Sequence, residues 1–283
     1  MKKEGSSRRL DLLLLERNPG LTRSRAQAEI MAGRVLVDGR VCDKPGTLIS
    51  PEASVTLLEP QNPYVSRGGL KLEGALADLK IEIEGLVVLD VGASTGGFTD
   101  CLLARGAKRV YALDVGYGQL HWRLRNDPRV TVLERFNVRH LKREHLPEVP
   151  QLATVDVSFI SLKLVLPVLY AAGVPAVLAL VKPQFEAGRA EADRGRGVIR
   201  DPGLHRAVLL EAIRAACESG YCCAGLTDSR WPGPQGNLEF FLYGRAGGRA
   251  GDAACACPEN LEALVDAVVA RAHRRKARDP GNK

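Results

Sequence analysis

Five short apolar runs recur down the chain, at Leu86 to Val91, Val110 to Val115, Leu152 to Val157, Val177 to Val181 and Leu238 to Tyr243. Helical segments lie between them, at Gly97 to Arg105, Leu162 to Ala171 and Pro202 to Ser219. Strands that alternate with helices pair in parallel, because a connection long enough to hold a helix returns the chain to the same end of the sheet. The pattern predicts an α/β fold, a mostly parallel sheet covered on both faces, with ligands beyond the carboxyl ends of its strands. Functional residues are therefore expected just after each strand.

The run ending at Val91 leads into Gly92-Ala93-Ser94-Thr95-Gly96-Gly97-Phe98, and the next ends around Asp114. Such glycines let the backbone approach a ligand closely, and a carboxylate about 20 residues further on suits a ribose diol. The G-x-x-x-G-G form lacks the dinucleotide spacing and looks like the loop of S-adenosylmethionine methyltransferases, whose ligand has a ribose but no pyrophosphate. The bland alternative is an ordinary turn, with Asp114 as its cap.

Three more charged residues sit at strand ends. Asp156 either faces a ligand or caps the following helix. Lys182 closes the run from Val177; burial would lower its pKa toward the range of a general base, unless its amine reaches water. Strand alternation puts Glu239, Phe241 and Tyr243 on one face, where a carboxylate among apolar neighbours needs a cation such as Lys182 or Lys71. An exposed edge position would remove that need.

Ahead of this region, Arg8 to Glu16 reads as a leucine-rich helix broken by Asn18-Pro19-Gly20. Thr22 or Ser24 caps a second helix that runs to Met31, and Gly33 ends it. Valines then flank Asp38-Gly39, a strong hairpin signal. A unit of about 50 residues is marginal by itself. The order of these elements, with Arg23-Ser24-Arg25 opening the second helix and Gly33 to Gly39 after it, resembles the S4 RNA-binding domain over residues 8 to 59. The resemblance implies RNA contacts from Arg8, Arg9, Arg23, Arg25 and Arg34; a solvated helix face is the competing reading.

Net charge is +7 over 283 residues, divided as +2 in residues 1–60, zero in 61–269 and +5 in 270–283. A neutral middle between basic ends fits a polyanion gripped from the periphery, or a solvated tail with no partner. The tail His273 to Arg278 is expected to be disordered rather than a defined site. Seven cysteines without a C-x-x-C pair argue for reduced thiols in a cytoplasmic protein rather than a disulfide framework. Ala171 to Val181, the longest apolar stretch, contains Gly173 and Pro175 and is far shorter than the roughly 20 residues that cross a bilayer. No histidine pair has metal-ligand spacing, so no metal is expected.

Val65 to Leu72, Asp90 to Thr99, Leu113 to Leu120, Asp156 to Ser161 and Leu180 to Glu186, in this order, are similar to the TlyA family. Members join an S4 domain to a Rossmann-like, FtsJ-like methyltransferase domain. The resemblance covers residues 8 to about 245 and implies 2'-O-methylation of cytidine in ribosomal RNA, on the large and in some members also the small ribosomal subunit. S-adenosyl-L-methionine is the implied cofactor. Domain boundaries follow as 1–60 for the S4 unit, 61–66 for a linker, 67–245 for the methyltransferase and 246–283 for a basic extension.

The family's Lys-Asp-Lys-Glu tetrad falls on Lys71, Asp156, Lys182 and Glu239, with Lys182 implied as base or charge stabiliser and the two acids orienting the lysines. Asp90, Gly92, Ser94, Gly96, Phe98, Asp114, Val115 and Asn137 are the implied cofactor residues. Arg67 joins the RNA candidates, as do Arg194 and Arg196 in the Gly188 to Gly197 segment, which suits a mobile lid or an inert surface loop. Trp231 to Asn237 either borders the target pocket or only connects strands. The competing functional classes are a non-catalytic ribosome-assembly factor and a membrane-active haemolysin. Oligomeric state is not legible.

Overall fold

The computed structural model describes residues 7–58, 62–187, 197–247 and 260–278, in two compact units, Met1–Pro63 and Tyr64–Lys283. The first unit runs β1 (Arg8–Arg9), α1 (Leu10–Arg17), α2 (Arg23–Met31), β2 (Val35–Val37), β3 (Arg40–Val41), β4 (Leu48–Ile49) and β5 (Val55–Leu57). The Thr22 hydroxyl caps α2 by accepting the Arg25 N–H at 3.3 Å. Asp38 and Gly39 both have positive φ, 49° and 78°, the conformation of the tight turn that joins β2 to β3. Leu10, Leu13, Leu14, Ala26, Ile30 and Val35 form this unit's own core.

The first helix starts two residues later than the pattern predicts. Arg8 and Arg9 pair with Ile49 and Leu48 of β4, a long-range ladder that local periodicity does not encode.

The second unit contains α3 (Arg67–Leu79), β6 (Val87–Val91), α4 (Gly97–Ala104), β7 (Arg109–Leu113), α5 (Trp122–Arg125), β8 (Val130–Leu133) and β9 (Leu152–Val155). It continues through α6 (Leu162–Ala171), β10 (Ala176–Val181), α7 (Pro183–Glu186), α8 (Pro202–Glu218), β11 (Tyr221–Asp228), β12 (Phe240–Ala246) and α9 (Leu261–Arg278). Seven strands form one sheet in the order β11-β12-β10-β9-β6-β7-β8. β12 runs antiparallel to both its neighbours, and the other ladders are parallel. One face packs Leu72, Leu76, Phe98, Leu102 and Phe241, mainly under α3 and α4. The opposite face packs Leu166, Leu209, Ile213, Phe240 and Val268 under α6, α8 and α9.

Three features depart from expectation. β8 and β11 are strands the pattern did not single out; β11 carries a register shift between Cys223 and Gly225 that interrupts its alternation. Residues Tyr64 to Ser66, expected as linker, are tied to this unit: the Val65 N–H donates to Asp100 Oδ2 at 2.9 Å, and the Tyr64 hydroxyl donates to Glu73 at 3.0 Å. The expected disordered tail is the helix α9, because Val265, Val268, Val269 and Ala272 form an apolar stripe at helical spacing that buries against the sheet. Its basic residues lie on the remaining surface and hid that stripe in a count of charge.

Cys42 and Cys101 are free thiols, whereas Cys222 is disulfide-bonded, so reduced cysteines throughout is corrected at that position. Successive strand residues point to opposite faces, so Cys222 cannot pair with Cys223, and its pairing depends on tertiary structure.

Candidate active site

The carboxyl ends of β6, β7 and β9 open onto a cleft of about 660 Å³. Gly92, with φ +84°, passes so close to the Asp156 carbonyl that a Cβ would overlap it. The ends of β6 and β9 are pulled together there, and the Asp156 N–H donates to the Val91 carbonyl at 2.9 Å. Ser94, also at positive φ, donates its N–H to Asp114 Oδ2 at 2.8 Å. The Gly116 N–H donates to Asp114 Oδ1 at 2.7 Å. Asp114 is therefore held rigidly at the cleft wall, with each carboxylate oxygen retaining a lone pair for a ligand.

Gly92, Ser94, Asp114, Val115 and Asn137 all line this cleft. Asn137 also caps the short turn after it, accepting the Arg139 N–H at 3.1 Å. Three other residues implied for the cofactor lie elsewhere. Asp90 is fully buried, where the hydroxyls of Thr99 and Thr154 donate to its two oxygens at 2.6 and 3.0 Å. Burial pushes its carboxyl up to about 7. It braces the strand under the loop rather than facing the cleft. Gly96 has φ +97° and precedes α4, with a Cβ there blocked by Leu124 and Leu120. Phe98 is buried, stacks on Phe241 at 6.1 Å and lines an adjoining pocket.

That adjoining pocket, lined by Ser66, Arg67, Lys71, Phe98, Pro232 and Gly233 among others, shares Gly92, Ser94 and Asp156 with the cleft. Two ion pairs flank the junction. Lys71 Nζ, from α3, lies 2.7 Å from Glu239 Oε2. Lys182 Nζ, at the end of β10, lies 2.6 Å from Asp156 Oδ1 and donates to the Ser158 hydroxyl at 3.0 Å.

The competing readings of these residues do not hold. Asp156 does not cap α6, because Ser161 accepts the Lys163 N–H and Glu186 accepts the Leu162 N–H. Lys182 does not reach out to water: it is 9% exposed. Glu239 is buried at 1% exposure, just ahead of β12 rather than on an open edge. Its second oxygen, Oε1, has no hydrogen-bond partner among the described residues. Lys71 and Asp156 line the pocket, while Lys182 and Glu239 stand behind them as their partners.

Sequence reasoning missed Ser158 as a partner of Lys182, although its place two residues after Asp156 is a local signal. It also missed Glu186. Burial raises the pKa of this carboxyl, and it ties α7 to the start of α6 through Ser161 at 2.7 Å and Leu162 at 2.9 Å. The segment Trp231 to Asn237 borders the pocket through Pro232, Gly233 and Pro234, which decides between the two readings left open for it.

In the first unit, every arginine singled out for RNA is paired with an acid. Arg8 pairs with Glu16 at 2.5 Å and Arg9 with Asp11 at 2.9 Å. Arg23 lies 3.7 Å from Asp11, Arg25 lies 2.5 Å from Glu29, and Arg34 pairs with Glu29 as well. Asp11 and Glu29 are buried, so these acids organise the arginines rather than solvating the surface beside them. Arg67 belongs to the second unit and is exposed at its pocket. Arg194 and Arg196 lie outside the described residues. Among the described residues no helix is long and apolar enough to cross a membrane.

The FtsJ-like methyltransferase family matches residues 64–246, and the S4 domain matches residues 8–55. The 16S/23S rRNA (cytidine-2'-O)-methyltransferase TlyA of Mycobacterium tuberculosis is 48% identical over 240 residues, covering 83% of this chain and 88% of that protein. YqxC of Bacillus subtilis, named as a candidate rRNA methyltransferase, is 48% identical over 238 residues, 83% of this chain and 84% of the relative. A solved structure from Streptococcus thermophilus, labelled a candidate hemolysin, shares 39% identity and a TM-score of 0.71, covering 98% of this chain and 99% of that one. With the methyltransferase family matching most of the second unit, the S4 domain matching most of the first and near-half identity to the TlyA methyltransferase over most of both chains, this chain is an FtsJ-like methyltransferase of the TlyA family with an N-terminal S4 domain.

Proposed function

We propose that this protein transfers a methyl group from S-adenosylmethionine to the ribose 2'-hydroxyl of cytidine in ribosomal RNA. The observation that carries the reading is the meeting of the cleft and the pocket at Asp156, with the pairs Lys71–Glu239 and Lys182–Asp156 on either side. The cleft fits the cofactor. Gly92 leaves no room for a side chain, Asp114 offers a fixed carboxylate to a diol, and Asn137 and Val115 wall the side where a base would lie. When bound, the cofactor supplies an activated methyl group on a sulfonium, so neither a metal nor a covalent intermediate is required.

The remaining task is the protein's. A ribose hydroxyl is a poor nucleophile, and its proton has to leave as it attacks. Lys71 and Asp156 face the pocket and hydrogen-bond the hydroxyl region. Lys182 holds Asp156 in place and is the base that receives the hydroxyl proton as it departs. Glu239 neutralises Lys71 and fixes its direction. Aligning hydroxyl and methyl in a site closed to water supplies most of the acceleration. In the S4 unit the acid-anchored arginines supply RNA affinity through phosphate contacts.

The test is to incubate the purified protein with methyl-labelled S-adenosylmethionine and separated, unmodified ribosomal subunits, and to map new ribose methylation. Label on a cytidine 2'-oxygen is expected, and its loss in Lys182→Ala with RNA affinity retained would separate an enzyme from an assembly factor. Cofactor binding without label on either subunit would overturn the proposed substrate.

A further inference from the structure

The C-terminal helix α9 lies beyond the span matched by the methyltransferase family, and none of its residues lines the cleft or the catalytic pocket. Its basic residues are nonetheless engaged in detail with the connection between β11 and β12. The Asp228 carboxylate, at the end of β11, is completely buried. Arg271 Nε meets its Oδ1 at 2.5 Å, and Arg275 Nη1 meets its Oδ2 at 2.6 Å. Arg271 also donates through Nη2 to the Thr227 hydroxyl at 2.9 Å. Lys276, next after Arg275, donates through Nζ to the Gly236 carbonyl at 2.7 Å. His273 contacts His205 of α8 at 3.0 Å.

The connection so held, residues 229–239, is part of the active site. The Ser229 N–H donates to the Glu239 carbonyl at 2.8 Å, so the residue following Asp228 fixes the backbone of Glu239. The Gly233 N–H donates to the Asn237 carbonyl at 2.9 Å, folding the connection so that Gly233 lies against Glu239 Oε1. Pro232, Gly233 and Pro234 line the pocket, and Glu239 holds Lys71. A buried carboxylate stripped of a cation is strongly unfavourable, so Asp228 can stay where it is only while the helix supplies its arginines.

We propose that α9 is a clamp on the β11–β12 connection. Arg271, Arg275 and Lys276 are positioning residues that hold Glu239, and through it Lys71, at the geometry transfer requires. This deepens the proposed methyltransferase reading and rests on it for the kinetic consequence. It also reassigns the charge of the tail: three of its cations are spent on the protein's own connection rather than on RNA.

The experiment uses full-length protein with Arg275→Gln, Arg275→Lys and Lys276→Met. The last removes one hydrogen bond at an exposed amine and leaves Asp228 paired. Hydrogen exchange at the Ser229 and Gly233 amides reads the clamp directly, whatever the substrate. In Arg275→Gln it is expected to accelerate about tenfold, with amides of β6 and β9 unchanged. At saturating RNA and cofactor, kcat is expected to fall about tenfold in Arg275→Gln and several-fold in Lys276→Met, with Kd for S-adenosylmethionine and for RNA within about twofold of the parent. Arg275→Lys, which can still pair with Asp228, is expected to restore most of the loss. Unchanged exchange at Ser229 and Gly233 would overturn the clamp. Faster exchange with unchanged kcat would overturn the positioning role, and weaker RNA binding at constant kcat would make the helix an RNA contact instead. Absence of methyl transfer by the parent protein would count against the enzymatic reading alone, and exchange would still decide the clamp.

Discussion

Gly233 lies directly against Glu239, so closely that a Cβ at Gly233 would overlap Oε1 and crowd the carboxyl carbon. The glycine thereby sets where the carboxylate sits, and the carboxylate holds Lys71 at 2.7 Å. Gly233→Ala is expected to displace Glu239 and lower kcat by about tenfold or more, since displacements near 1 Å cost rates of that order or larger. Its φ of −74° is open to alanine, so any loss of thermal stability is expected to come only from the displaced Glu239 and to stay below that of Lys71→Met. Parallel kinetics and calorimetry check both halves; a large drop in melting temperature with normal kcat would contradict the argument.

Lys182 and Lys71 occupy different positions about Asp156 and are expected to fail differently. Lys182→Ala leaves Asp156 without its cation and is expected to lower kcat by about 10²–10⁴-fold. Lys71→Met leaves Glu239 charged, buried and unpaired, so a loss of stability is expected beside the loss of rate. Cofactor titration of both variants by calorimetry should show near-parental affinity, because neither side chain lines the larger cleft.

Asp90 makes stability depend on pH in a direction opposite to that of most carboxyls. Burial raises its folded pKa to about 7, so between the ordinary aspartate range and pH 7 the folded state holds a proton that the unfolded chain has released. Its contribution is complete at acid pH and declines as pH rises, by at most about 1.4 kcal/mol per pH unit. Asp90→Asn is expected to remove this slope. Melting curves of both proteins from pH 4 to pH 8 that ran parallel would show that Asp90 does not titrate in this window.

Asp11 acts in the opposite sense. The Arg9 guanidinium, with help from Gln27 and Arg23, holds its carboxyl well below the ordinary carboxylate range. Its stabilisation is present above the unfolded pKa and disappears as pH falls through the folded one. Asp11→Asn should lower the stability of the N-terminal unit at neutral pH by an amount that shrinks on acidification. Hydrogen exchange of the α1 and α2 amides in the full chain measures this, and an equal deficit at every pH would rule out ionisation as the cause.

Arg23 is the most exposed of the five paired arginines and has the longest ion pair, 3.7 Å to Asp11. Arg23→Gln is therefore expected to weaken RNA binding with little cost to folding and to reduce the salt slope of log K by about 1. Filter binding over a range of salt concentrations reads that slope. An unaltered slope would remove Arg23 from the phosphate-contacting set.

Local pattern was enough for much of the architecture. Alternating strands and helices predicted the sheet, and Asp38-Gly39 predicted a hairpin whose two residues both take positive φ. The placement of Gly92, Ser94 and Asp114 at a strand's carboxyl end followed from the same alternation, because side-chain period and turn chemistry act within a few residues. Pairings across the chain were a different matter. Glu239 meets Lys71 across 168 positions, and Asp228 meets Arg275 across 47. The helical stripe of α9 was present in the sequence, yet only packing against the sheet turned a basic tail into a structured helix. Asp90 stood in the motif as a ligand candidate, and burial beneath Thr99 and Thr154 made it a brace. Sequence alone determined which chemical groups this protein has and which secondary structures carry them. Tertiary structure decided which groups meet and which lose contact with water, since burial and long-range proximity are properties of the packed chain rather than of its local segments.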